Sequence, residues 1–171
     1  MTTAAAAASL AFTAGCIGCL VYLHLAPTGY SPVRNAVSEY GIGGYAAWYR
    51  AQVRCAAAAA VFLALALRHP TRVVVLLLVL AAARFGIGLF PVLHRSHVLF
   101  ALVAFVSASW AAIALKRWEH GLPALGWAMA VCAIGTALAL RSSLRPWLGL
   151  IERGFYAGML TWFVLVAVRL L

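Results

Sequence analysis

Six long apolar runs, separated by short polar or proline-bearing connections, make up almost the whole chain. The runs cover residues 4–25, 45–67, 73–90, 97–115, 124–140 and 147–170. Each is close to the roughly 20 residues a helix needs to cross the hydrocarbon core of a bilayer. In lipid every backbone polar group must be paired internally, so runs of Ala, Leu and Val are read as spanning helices. All six prolines fall in the connections or at their edges, as expected for a residue that removes a helical hydrogen bond and clashes with the preceding turn. The longest polar segment is 28–44, and 68–72 reads as a tight turn. The alanine runs 4–8 and 56–60 predict close helix–helix contacts, since small side chains let backbones approach in a membrane. The pattern predicts an all-α integral membrane bundle of six transmembrane helices with short loops, a single transmembrane domain over residues 1–171.

Composition supports that class. Hydrophobic residues are 66% of the chain and charged residues 9%, too few to cover a water-facing surface, and mean hydropathy is +1.01. The net charge of +10 comes from Arg and one Lys against three Glu, with no Asp. In a soluble chain that balance would suggest nucleic acid. Here most Arg sit at helix ends, where they meet lipid headgroups, and no basic face with stacking aromatics is left to bind a nucleic acid. Cys16, Cys19, Cys55 and Cys132 all lie in apolar runs; Cys16 and Cys19 form a C-x-x-C spacing that suits a redox pair but equally suits small packing residues. Thr13-Ala14-Gly15-Cys16 lacks a preceding basic region, so no cleaved signal is expected there. Basic residues nearly balance between the two faces; discounting those with functional roles places both termini in the cytoplasm of a cell-membrane protein.

A charge inside a span is a candidate for function. Arg84 lies six residues before Phe90, about 9 Å inside the helix end. It either snorkels to the headgroups or pairs with an acid on a neighbouring helix. Of the three acids, Glu119 sits with Lys116, Arg117 and His120 in a connection and reads as a solvated loop charge. Parity of crossings brings Glu39, Arg84, His94, His97, Glu152 and Arg153 to one membrane face from distant parts of the chain, with Asn35, Ser38 and Tyr40 beside them. That convergence is either a structural salt-bridge layer or an active or binding site. His94-x-x-His97 with Glu39 or Glu152 has the makings of a metal site, but there is no H-E-x-x-H pattern and no Asp, so no metal is expected. A Ser38–His97–Glu triad lacks the strained Gly-x-Ser-x-Gly turn, and no glycine-rich phosphate loop is present. No cofactor is called for. General acid–base chemistry needs least, because a desolvated carboxyl can be kept as an acid near neutral pH.

At these residues the chain resembles the integral membrane family called domain of unknown function 998. The matching stretches are Asn35-Ala36-Val37-Ser38-Glu39-Tyr40-Gly41, then Gly88-Leu89-Phe90-Pro91 followed by His97, and Gly149-Leu150-Ile151-Glu152-Arg153 with Trp162 and Val168-Arg169-Leu170. The resemblance implies a six-helix fold and singles out Ser38, Glu39, His97, Glu152 and Arg153, without supplying a reaction. Where the family pattern often has an Asp after Phe-Pro, this chain has Val92-Leu93-His94, which weakens a metal-hydrolase reading by analogy with ceramidase-like enzymes.

The expected function is a membrane-embedded enzyme acting on a lipophilic substrate, in its sharpest form a protonation-initiated isoprenoid (terpene) cyclase. Glu39, Glu152 and His97 are the candidate catalytic residues. Asn35, Ser38, Tyr40, Trp48, Arg84, Phe90, Arg153, Tyr156 and Trp162 are the candidate substrate-binding residues, with Tyr45, Phe85 and Phe105 as further cavity aromatics. The expected partners are membrane lipids and a lipophilic small molecule. The alternatives are a lipid hydrolase or transferase, and a non-catalytic lipid-binding, transport or assembly protein.

Overall fold

The computed structural model describes residues 2–90, 92, 94–115 and 122–171. The connection holding Glu119, and Pro91, lie outside the described residues. Six helices form: α1 (Thr2–Leu25), α2 (Ala46–Leu67), α3 (Thr71–Leu89), α4 (Arg95–Ala114), α5 (Leu122–Ala139) and α6 (Leu148–Val168). Each is long and apolar enough to span a membrane, so this is a multi-pass membrane protein. The boundaries fall within about two residues of those read from hydropathy, inside the usual error of such readings. Pro123 lies in the first turn of α5 rather than before it, where its missing N–H costs no helical bond.

Each helix packs on the next, and α6 closes the ring against α1 while also touching α2 and α4. Small residues set the spacing. Ser9 donates its hydroxyl to the Ala59 carbonyl across the α1–α2 contact at 2.9 Å, and Ala56, Ala57, Ala59 and Ala60 are all buried. Thr13, Ser107 and Thr136 return their hydroxyls to carbonyls of their own helices, the usual solution for a hydroxyl in an apolar span. The outer surface is apolar: Val131, Ile134, Leu138 and Trp127 of α5 stand exposed, a face suited to lipid rather than water.

At Gly126 the α4 backbone comes so close that a Cβ would lie 2.7 Å from the Ile113 nitrogen. Gly18 has open space around it. Gly126→Leu therefore separates α4 from α5 and lowers stability by about 1–3 kcal/mol, whereas Gly18→Leu leaves it near wild type. Thermal unfolding in detergent distinguishes the two, and equal melting temperatures would contradict this packing.

Candidate functional site at the loop-one face

The segment between α1 and α2, here called loop one, contains a 3-10 helix, Val37–Gly41, that the sequence reading treated as plain loop. The helix forms because side chains cap its N-terminal end, while the Ile42 N–H closes the other end on the Glu39 carbonyl. Glu39 Oε1 accepts from the Ala36 N–H at 3.2 Å, and Asn35 Nδ2 donates to Glu39 Oε2 at 2.6 Å. Asn35 Oδ1 in turn accepts from the Ser31 N–H at 2.9 Å. The carboxylate of Glu39 is thus spent on folding its own loop.

Loop one and the start of α6 complete each other. The Leu150 N–H, one of the first-turn donors that a helix cannot satisfy internally, donates to the Val33 carbonyl at 3.0 Å. In return the Val37 N–H, at the start of the 3-10 helix, donates to Glu152 Oε2 at 2.7 Å. Gly149 makes the approach possible: a Cβ there would collide with the Asn35 carbonyl and lie 2.6 Å from that of Pro32. Arg153 ties the third strut. Its Nη1 donates to the carbonyls of Asn35 (2.8 Å) and Gly149 (3.0 Å), its Nε to His24 Nε2 on α1 (2.6 Å), and its Nη2 to the Tyr40 hydroxyl (3.3 Å).

Arg84 lies deeper and does not snorkel, being 1% exposed. The expected acid partner is replaced by neutral groups. Nη1 donates to the Tyr156 hydroxyl at 2.6 Å, Nη2 contacts Met159 Sδ at 3.4 Å, and the guanidinium carbon stands 4.6 Å from the Tyr156 ring centre. Its Nε has no hydrogen-bond partner among the described residues. No carboxylate pairs with Arg84 or Arg153 there, so the salt-bridge layer gives way to a layer of caps around two cations. Glu152 is buried; Arg153 follows it in the chain, and Tyr156, which holds Arg84, lies one helical turn further along α6.

The other candidates separate. His97 is buried with Nδ1 3.1 Å from the Phe90 carbonyl, pinning the start of α4 to the end of α3. Phe90 itself stacks between His94 and Phe100. His94 caps α4 by accepting from the Ser96 N–H, so the two histidines do not converge, and among the described residues no three His, Cys, Asp or Glu gather. No hydrogen bond joins Ser38 to His97 among the described residues. Trp48 faces outward against Tyr22, and Trp162 is fully buried beside Phe163 with its Nε1 unpaired. Phe85 is exposed, and Phe105 packs on Phe155. The four cysteines are free; Cys16 accepts from Gln52 Nε2 at 3.2 Å. The sequence reading missed His24, Tyr49, Gln52 and Gly149. A glutamine in an apolar span was a usable signal for Gln52; the role of Gly149 depends on a contact more than a hundred residues away in sequence.

Gly149→Val forces loop one off α6. The expected loss is about 1–3 kcal/mol, with new protease sensitivity between residues 28 and 44. Gly44→Val, in open space, leaves that segment as resistant as in the wild type. Equal cleavage of the two variants would contradict the reciprocal cap.

No curated protein and no solved structure matches this chain. A family model does match, over residues 5–169, and carries the description Protein of unknown function (DUF998). The match takes in loop one, the buried Arg84 and the Glu152–Arg153 pair together, and the chain belongs to the DUF998 family.

Proposed function

We propose that this protein is a membrane-embedded enzyme acting on a lipophilic substrate, with Glu152 as its acid/base group. The observation that supports this best is the asymmetry of that carboxyl. Oε2 is anchored by the Val37 N–H, while Oε1 is engaged by no described residue and the side chain keeps 6% of its surface accessible. An anchored carboxyl with one free oxygen is oriented for proton transfer before the substrate arrives.

Two chemistries follow from such a group. The first is protonation of an isoprenoid alkene or epoxide, the cyclase form. The second is hydrolysis or group transfer at a lipid ester or similar bond. Arg84 favours the second. Its guanidinium covers the face of Tyr156 that would otherwise shield a carbocation, and a fixed buried cation repels a second one. The same charge stabilises a developing oxyanion. The lipid hydrolase or transferase form is therefore preferred over the terpene cyclase. In this reading the substrate enters by a cleft of about 180 Å³ lined by Gly41, Tyr49, Arg50, Gly88, Phe90 and Val92. Glu39, His97 and Arg153 act as positioning residues. In this reading the protein sits in the cell membrane with both termini cytoplasmic, and its partners are membrane lipids and the lipophilic substrate. The structural use of Glu39, His97 and Arg153 also favours a second reading, a non-catalytic lipid-binding or assembly protein.

Glu152→Gln separates the two, because the amide oxygen still accepts from Val37 while the titrating group is gone. Wild type and variant are reconstituted in vesicles of total membrane lipid extract, and the lipid profile is followed by mass spectrometry. The enzyme reading expects wild type to convert one lipid class and Glu152→Gln to slow that by about 10²–10⁴-fold at unchanged melting temperature. Conversion by the variant at the wild-type rate, or no conversion by either, supports the non-catalytic reading.

A further inference from the structure

A second feature lies on the opposite flank of α6 from Glu152. Between α1 and α6 runs an apolar groove of about 360 Å³, lined by Ile17, Ala157, Leu160, Thr161, Val164 and Leu165. Beyond this lining, toward the loop-one face, lie Arg153, one helical turn before Ala157, and His24, two turns after Ile17; the two side chains bond across the helix pair at 2.6 Å. From Arg153 to Leu165 is 12 residues, about 18 Å of helix. That is close to the depth of one leaflet, about half of a 30 Å hydrocarbon core.

We infer that this groove is a binding site for one anionic phospholipid of the leaflet on the loop-one side, its acyl chain along α1 and α6 and its phosphate at Arg153. Charge selects the headgroup. Every hydrogen-bond partner of Arg153 among the described residues is neutral, so no contact there compensates its charge. Arg34, Arg50, Arg54, Arg95, Arg141 and Arg145 are exposed toward the same end of the bundle by order of crossing, while Glu39 and Glu152 are turned inward as caps. Juxtamembrane arginines attract anionic lipid within a Debye length. The site does not depend on Glu152 being catalytic.

Native mass spectrometry tests it, on protein extracted in mild detergent from vesicles of equal phosphatidylglycerol and phosphatidylcholine. Wild type is expected to retain one lipid, with phosphatidylglycerol favoured at least fivefold. Ala157→Trp fills the groove and is expected to cut retention at least tenfold, and Ile17→Trp does the same from the opposite wall if the first variant folds poorly. Val131→Trp, on the exposed face of α5, keeps wild-type retention. Retention without headgroup preference, no retained lipid in the wild type, or undiminished retention in a folded groove-filled variant overturns the assignment.

Discussion

The first N–H groups of a helix have no partner within it, and where such an end is packed against protein and out of water another segment must supply one. Here two such ends are placed together so that each satisfies the other. Loop one gives the Val33 carbonyl to Leu150 of α6, and α6 gives the Glu152 carboxyl to Val37 of loop one. Each such bond is worth about 0.5–1.5 kcal/mol net, and leaving a buried N–H unmet would cost about 1–3 kcal/mol. The exchange explains why residue 149 is Gly, why Arg153 folds back over the Asn35 carbonyl, and why Glu39 is turned into its own loop. It also fixes the position of α6, which closes the helical ring against α1.

The cap leaves the cations without acids. With both glutamates of this face taken up by backbone donors, Arg84 is held by an aromatic hydroxyl, a thioether and a ring face, and Arg153 by carbonyls, a hydroxyl and an imidazole. Removing a buried charge from water is costly even when paired. A guanidinium held on neutral partners is where negative charge would be welcome, which is the basis of both proposals: an oxyanion near Glu152 and a lipid phosphate near Arg153.

Hydropathy made the helices legible because lipid imposes one rule on every span, and loops at prolines are hard to misplace. That loop one meets the start of α6 was legible from crossing parity. Pairing was not. Sequence suggests that opposite charges meet, yet the acids sit against backbone N–H groups whose need depends on where two helices happen to start. The 3-10 helix in loop one carries no periodic signal of its own, since its caps include a residue 115 positions away. The aromatic candidates show the same limit: Trp48 and Trp162 both suit a cavity by type, but helical phase sends one outward to Tyr22 and the other into the core.

The most direct test of this account is the hydrogen-exchange rate of the Val37 amide, measured by NMR on the protein in lipid nanodiscs. If Glu152 accepts from it, the amide exchanges far more slowly than that of exposed Gly44, stays protected in Glu152→Gln, and loses protection in Glu152→Leu. Exchange of Val37 as fast as Gly44 in the wild type, or equal protection in the Gln and Leu variants, would contradict it.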